Sequence, residues 1–368
     1  MNRYGLGLMV AGILCFCGTV SAQSVNGGRS ATSFPSLSNS EKAAVKNCLE
    51  IIRKCQLPDG AIVQLTRSGQ IGAPIWIAPY FANYAALALM ADIERTKSVP
   101  EMGRIGKWLD WCAKHQSADG YWNDYEGTSV GYKNNDNVDA WDSSAAMFLL
   151  VTARFQKIGG KVKPAVIEAA RKSLRCIEAL CDDDGLTWAT PTYKMKFLMD
   201  NVEVYAGLKA SIAFFDSVDA KDESRAATAR ADAMAKSLPD FWRPDEQLYA
   251  FVLDEKGRYE GGLSQAYPNG LAQLFGIAFI APKLDAMMAV KKFPPDDGVT
   301  AAMGTERWYV AASRLGGKDA KEWKEKLVKD ATGFTAENVY INRPAIAALA
   351  LFDGANWMPS LARSKESR

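Results

Sequence analysis

The chain has 368 residues, 44 Lys and Arg against 42 Asp and Glu, a formal charge of +2 and a single histidine. Near-neutrality leaves no basic field to attract nucleic acid or an anionic membrane, and the lone His115 weakens every mechanism built on a histidine base or histidine metal ligands. The length exceeds the usual single-core range, so it requires either two domains or one large closed architecture.

Met1-Asn2-Arg3, the apolar run to Val20 and the small-residue end Val20-Ser21-Ala22 have the three regions of a secretory signal peptide. Residues 1–22 are therefore expected to be cleaved near Ala22, giving a secreted or periplasmic protein. No later apolar run reaches the ~18 residues of a membrane helix. Residues 23–38, rich in Ser and Gly, read as a flexible leader. Residues 39–355 should form one domain and 356–368 a C-terminal tail.

From Ser40, an amphipathic helix carries Ala44, Val45, Cys48, Leu49, Ile51 and Ile52 and closes at Pro58-Asp59-Gly60. A polar, aromatic loop with Trp76 and Tyr80 leads into a more apolar helix, 81–93. The plan then recurs with a period near 60. An amphipathic helix at 102–115 is followed by the breaker Gln116-Ser117-Ala118-Asp119-Gly120, a loop with Trp122, Asp124 and Tyr125, and an apolar helix at 139–155. The third unit has 163–180, the turn Cys181-Asp182-Asp183-Asp184-Gly185, a loop with Trp188, Tyr193 and Lys194, and 200–215. The fourth has 222–241, a loop with Tyr249, Tyr259 and Tyr267, and 271–280. A fifth, shorter unit runs from Leu284 through Pro294-Pro295-Asp296-Asp297-Gly298 to a helix bearing Trp308 and Tyr309, and the sixth has 320–331 and 337–352. Strand alternation is scarce, with Leu248 to Leu253 the best instance.

In each pair the first helix is charged on one face, as a solvent-facing helix should be. The second is apolar nearly all round, as a buried one should be. Repeats of this kind bury a continuous core only by stacking, so the expected fold is all-α: an (α/α)6 toroid of six helical hairpins with inner and outer barrels.

Acidic and aromatic residues recur where inner helices begin. Asp136-Asn137-Val138-Asp139-Ala140-Trp141-Asp142-Ser143-Ser144 opens the second, Asp200-Asn201-Val202-Glu203-Val204-Tyr205 the third, and Glu337-Asn338-Val339-Tyr340 the sixth. Delivered to one end of successive helices, they predict one shared cleft. Asp139 and Asp142 on one helix and Asp200 and Glu203 on the next are the candidate acid and base, since carboxylate chemistry needs two such groups on separate rigid elements. D-x-x-[DE] is also the spacing of a capping box, the competing reading for both pairs. Three carboxylates in Asp136, Asp139 and Asp142 exceed what one cap needs, which favours function there. Trp76, Trp122, Tyr125, Trp141, Trp188, Tyr193 and Tyr205, with Asp124 and Asp136, are candidate substrate contacts, core packing being the alternative, above all for Trp141.

Cys48, Cys55, Cys112, Cys176 and Cys181 are odd in number and lack C-x-x-C spacing, so neither a zinc site nor a disulfide framework is indicated. One bridge from Cys48 or Cys55 to Cys112 and buried free thiols are the two readings. The Asp182-Asp183-Asp184 turn is a solvated turn or a calcium site. No cofactor is expected, and oligomeric state is not addressed by the sequence.

The repeat number, the Asp-Gly turns and the carboxylate-plus-aromatic helix starts resemble the six-hairpin glycosidase superfamily over nearly the whole mature chain. The resemblance implies a sugar-binding funnel at the N-terminal ends of the inner helices and places Asp136, Asp139, Asp142, Asp200 and Glu203 in it. The implied function is glycoside hydrolysis of a polysaccharide or oligosaccharide, with inversion. The rival is a polysaccharide lyase on a uronate polymer, drawing on Lys133, Tyr193, Lys194, Lys196, Arg307 or Arg343, and a third class is a non-catalytic glycan-binding or envelope protein. Gln116, Gly120 and Trp122 also fit the QxxxGxW pattern of terpenoid cyclases, whose Asp-rich DxDD motif is missing here.

Overall fold

The structure, a computed structural model, describes residues 36–64, 72–259, 262–293 and 303–362. The expected signal peptide, most of the leader, the turn at 294–298 and the last six residues lie outside them. Twelve helices form among the described residues: α1 (Asn39–Lys54), α2 (Pro79–Thr96), α3 (Val99–His115), α4 (Trp141–Lys157), α5 (Pro164–Leu180), α6 (Leu198–Ser217), α7 (Lys221–Ser237), α8 (Leu271–Phe275, with a wider turn at either end), α9 (Leu284–Val290), α10 (Thr305–Leu315), α11 (Gly317–Thr332) and α12 (Asn342–Asp353).

The even-numbered helices make the inner ring. Each packs on the next, from α2 through α4, α6, α8 and α10 to α12, which closes on α2. The odd-numbered helices lie outside. The ring follows from composition: α4 and α12 bury nearly every side chain, while α7 and α11 bury little beyond one stripe of Ala, Leu, Met or Trp. Close approach needs small residues, and a Cβ at Gly207 of α6 would run into the carbonyl of Ala146 on α4. The fold is the (α/α)6 toroid expected from the repeats.

The Asp-Gly turns fasten one hairpin to the next. Gly60, Gly120 and Gly185 adopt φ of +104°, +95° and +84°, a region L side chains avoid. Added Cβ atoms would press on the carbonyls of Lys107 and Lys172 and, at 2.9 Å, on the Ala233 methyl of the following outer helices. Gln116 Nε2 donates to the carbonyls of Gly120 at 3.0 Å and Ala169 at 2.9 Å, and Gln56 makes the same clasp on Gly60 and Arg104. The Q-x-x-x-G spacing is thus a clasp of the toroid.

Short strands decorate the end where inner helices begin. β1 (Pro74–Ile77), β2 (Tyr125–Thr128) and β3 (Gly131–Asn134) form an antiparallel sheet with Trp76 opposite Glu126 and Tyr125 opposite Asn134. β4 (Met195–Phe197) pairs with β7 (Val252–Asp254), and β5 (Trp242–Arg243) with β6 (Leu248–Tyr249). The run from Leu248 to Leu253 is therefore split between two sheets.

Two expectations are corrected. Helix α12 begins at Asn342, so Glu337 to Tyr340 is a turn in front of it, with Asn338 Oδ1 accepting from Thr335 N at 2.7 Å. The chain after residue 355 turns into the core: Trp357, 4% exposed, packs on Tyr84 and Phe279, and Leu361 N donates to Phe279 O at 2.9 Å. Of the two cysteine readings the free-thiol one holds: the five cysteines among the described residues are free, all but Cys181 buried. Among the described residues no helix is long and apolar enough to cross a membrane.

Candidate active site

Helix α4 opens after Ala140 and α6 after Phe197, and neither start carries a side-chain cap. The capping-box reading therefore fails for both pairs: Asp139 precedes the first turn of α4, while Asp142, Asp200 and Glu203 stand inside their helices. The four carboxylates still occupy very different positions.

Asp142 is fully buried behind the cleft wall. It accepts from Ser143 N and from Thr187 Oγ1, both at 2.7 Å, and Thr187 N in turn donates to Asn201 Oδ1 at 2.7 Å. This network ties α4 and α6 through the loop after the third Asp-Gly turn. Burial pushes the Asp142 carboxyl up to about 7, against the hydrogen bonds that favour the charged form.

Asp139 lines the cleft, and Asp200 lies within reach of its charge. Asp139 keeps its side chain open to solvent at the mouth, yet the protein crowding around it raises its pKa. Asp200 is half-buried. Burial first, then the charges of Asp142, Asp139 and Glu203, hold its carboxyl well above the usual range. A cavity of about 310 Å³ lies beside them, walled by Trp76, Tyr80, Phe81, Asp124 and Asp139. Trp76 Nε1 donates to Asp124 Oδ2 at 2.9 Å, and burial lifts Asp124 to about 6 despite that bond. Exposed Tyr267, at the start of the fourth inner segment, has its phenol raised by burial and then by Asp139 and Asp200.

Glu203 forms the floor and is wholly shielded from solvent. Tyr80 Oη donates to both of its oxygens at 2.9 Å, and Tyr84 Oη hydrogen-bonds to Oε1. Burial pushes Glu203 to about 8, while Tyr84, Arg307 and Tyr80 pull the other way. Beside it a fully buried ion pair, Arg343 Nε to Glu306 Oε1 at 3.1 Å, joins α12 to α10.

Several expected contacts lie elsewhere. Trp122 is 2% exposed and donates Nε1 to Cys112 O at 2.8 Å, so it packs in the core and offers the cavity only an edge. Trp188 is buried beneath the Lys196 ammonium, 4.2 Å from its ring. Tyr125 belongs to an aromatic cluster with Trp111, His115 and Tyr132. Trp141 stacks on Tyr121 with centroids 3.8 Å apart, Tyr205 is half-buried on α6, and Tyr193 is exposed. Asp136 is exposed on the rim with φ +60°. The acidic turn is filled from within: Lys196 Nζ lies 2.6 Å from both Asp182 and Asp184, which argues against calcium there.

Sequence reasoning passed over Tyr80, Tyr84 and Tyr267 as site residues. The signal for the floor was present as charged residues, Glu306, Arg307 and Arg343, in otherwise apolar inner helices.

No protein-family model matches the chain, and no curated protein matches it. Solved structures do. The GH76A α-1,6-mannanase of Salegentibacter sp. HEL1_6 superposes with a TM-score of 0.54 at 12% identity, over 87% of this chain and 100% of that one. A bacterial glucoamylase complexed with acarbose gives 0.59 at 11%, over 87% and 56%. A reducing end xylose-releasing exo-oligoxylanase gives 0.52 at 15%, over 87% and 94%. At these identities the likeness is one of fold: the chain has the (α/α)6 architecture of the six-hairpin glycosidases.

Proposed function

We propose that this protein is a glycoside hydrolase that cleaves an oligosaccharide or polysaccharide held at the N-terminal ends of its inner helices. One observation carries the reading: two carboxyls close enough to feel each other's charge lie in different environments, Asp139 open to water in the cavity wall and half-buried Asp200 pushed strongly toward its protonated form. Pairs of titratable groups driven apart by their surroundings are how acid and base roles are divided. Asp200 supplies the proton to the departing sugar oxygen, and Asp139 acts on the opposite side, as base toward water or as nucleophile. Trp76, Tyr80 and Phe81 offer faces for a sugar ring, and Asp124 offers a further carboxyl. The fold neighbours add support, among them the mannanase solved with α-1,6-mannotriose. The N-terminal sequence supports a further proposal, that the protein acts after export.

The lysines serve elimination poorly, and with Arg343 paired to Glu306 its remaining candidates are Arg307 and Tyr193. Lys194 pairs with Glu255 at 3.3 Å, Lys196 is locked between two aspartates, and Lys133 is exposed on β3. The test is release of reducing ends from neutral, amino-sugar and uronate glycans, with ultraviolet absorbance followed for an unsaturated product. Asp139→Asn and Asp200→Asn are expected to keep the fold and lose roughly 10²–10⁴-fold in turnover. Absorbance growth would move the assignment to a lyase. Glycan binding without any turnover would leave a binding protein.

A further inference from the structure

Arg307, in the first turn of α10 at the funnel end of the barrel, is only 8% exposed. Its guanidinium carbon lies 5.3 Å from the Tyr84 ring centroid and 4.9 Å from that of Phe275. Among the described residues no hydrogen bond or ion pair reaches it. Nor are its nitrogens sealed in: the wholly inaccessible, unpartnered side-chain atoms among the described residues include Nε of Arg243 but none of Arg307. Its donors therefore open onto space that water can enter. The other floor cation, Arg343, is neutralised by Glu306, both side chains being 2% exposed. Glu203, the remaining acid of the floor, is hydrogen-bonded by Tyr80 and Tyr84 and acts on Arg307 only through its charge.

We propose that Arg307 anchors an anionic group on the sugar, which makes the substrate an acidic glycan whose uronate carboxylate sits on the guanidinium. The inference rests on the reading of this cleft as a glycan site and narrows its substrate class. A buried cation without an acceptor is costly unless a ligand supplies one. The planar guanidinium fork matches a carboxylate with two parallel N–H donors. Position adds to the field, because the first turn of a helix already carries partial positive charge, which favours an anion. Of the two acids whose charges reach it, Glu306 is spent on Arg343 and burial holds Glu203 up to about 8, so neither cancels it in mildly acidic solution. A neutral sugar would offer hydroxyl acceptors and leave the charge unmatched.

The test is calorimetric titration of the mature protein at mildly acidic pH with glucuronate, galacturonate and mannuronate against glucose, galactose and mannose. At least one uronate is expected to bind about tenfold or more tightly than its neutral parent, a difference of ~1.4 kcal/mol. Arg307→Gln should reduce that preference to the neutral level and Arg307→Lys should keep part of it, with circular dichroism checking the fold. The wild-type comparison stands alone should the Gln variant fail to fold. If none of the three uronates outbinds its parent, or the preference survives in a folded Arg307→Gln, the proposal is overturned. Turnover separates this from the hydrolase reading: cleavage of neutral glycans alone sinks the anchor and spares the hydrolase, whereas uronate binding with elimination products does the reverse.

Discussion

The hydroxyl of Tyr80 lies 2.9 Å from both carboxylate oxygens of Glu203 and separates that buried acid from the cleft wall. Tyr80 is the half-exposed member of the pair and Glu203 the sealed one, so any influence of Glu203 on a bound sugar passes through the phenol. Tyr80→Phe is expected to destabilise the fold by about 1–2 kcal/mol, since Glu203 keeps its bond to Tyr84. It should raise KM and lower kcat together. Chemical denaturation alongside steady-state kinetics would check this, and unchanged kinetics would remove Tyr80 from the site.

The same burial gives stability a pH dependence of defined sign. Glu203 and Asp142 have folded-state values of about 8 and about 7, above their ordinary 4.5 and 3.8. The folded state therefore holds more protons than the unfolded chain between roughly pH 4 and 8, and stability must fall as pH rises through that window. Asp142→Asn removes one of the two groups and should flatten the slope between pH 4 and 7. Urea midpoints measured across that range would show it; a wild-type midpoint that rises with pH would contradict the assignment of these carboxyls as buried and proton-holding.

The toroid was legible because inner and outer helices differ in composition over whole turns, and Asp-Gly turns recur at matching places. The site was legible only in part. Asp139, Asp200 and Glu203 stand where the D-N-V-[DE] repeats put them, at the funnel end. Sequence spacing does not report depth, however. Asp142, three residues from Asp139, points behind the wall to Thr187, and Trp122 and Trp188 turn into the core although both follow polar turns. Whether a tryptophan after a turn faces sugar or core depends on the partner its indole finds, here Cys112 O for Trp122 and the Lys196 ammonium for Trp188. Tyr80 meets Glu203 and Arg307 meets Tyr84 across more than a hundred residues of chain, which no local pattern encodes.

Lys196 supplies a structural test of the acidic turn. Its ammonium is almost fully enclosed and bridges Asp182 and Asp184 above Trp188. Lys196→Met would leave the two aspartates facing each other without a cation. Because both are substantially solvated, the expected loss is about 1–3 kcal/mol rather than that of a fully buried pair. With the cation in place the turn has no vacancy for a divalent ion, so millimolar Ca²⁺ or a chelator should leave the wild-type melting temperature unchanged. A clear rise with Ca²⁺ would restore the metal reading.

The pH profile of turnover separates the two cleft carboxyls. Asp139 must be ionised to act on water or the sugar, so kcat/KM should fall on the acid side as it protonates, at a pH above the ordinary aspartate range because its surroundings raise it. Asp200 must carry its proton, and burial beside Asp142, Asp139 and Glu203 keeps it there well above the usual range. The alkaline fall therefore belongs to Asp200, and the optimum lies between the two. Asp142→Asn removes one like charge from beside Asp200 and should move the alkaline limb to lower pH while the acid limb stays. A profile of kcat/KM against pH for wild type and this variant decides it: movement of the acid limb instead would exchange the roles of Asp139 and Asp200, and a flat profile would remove both from the chemistry.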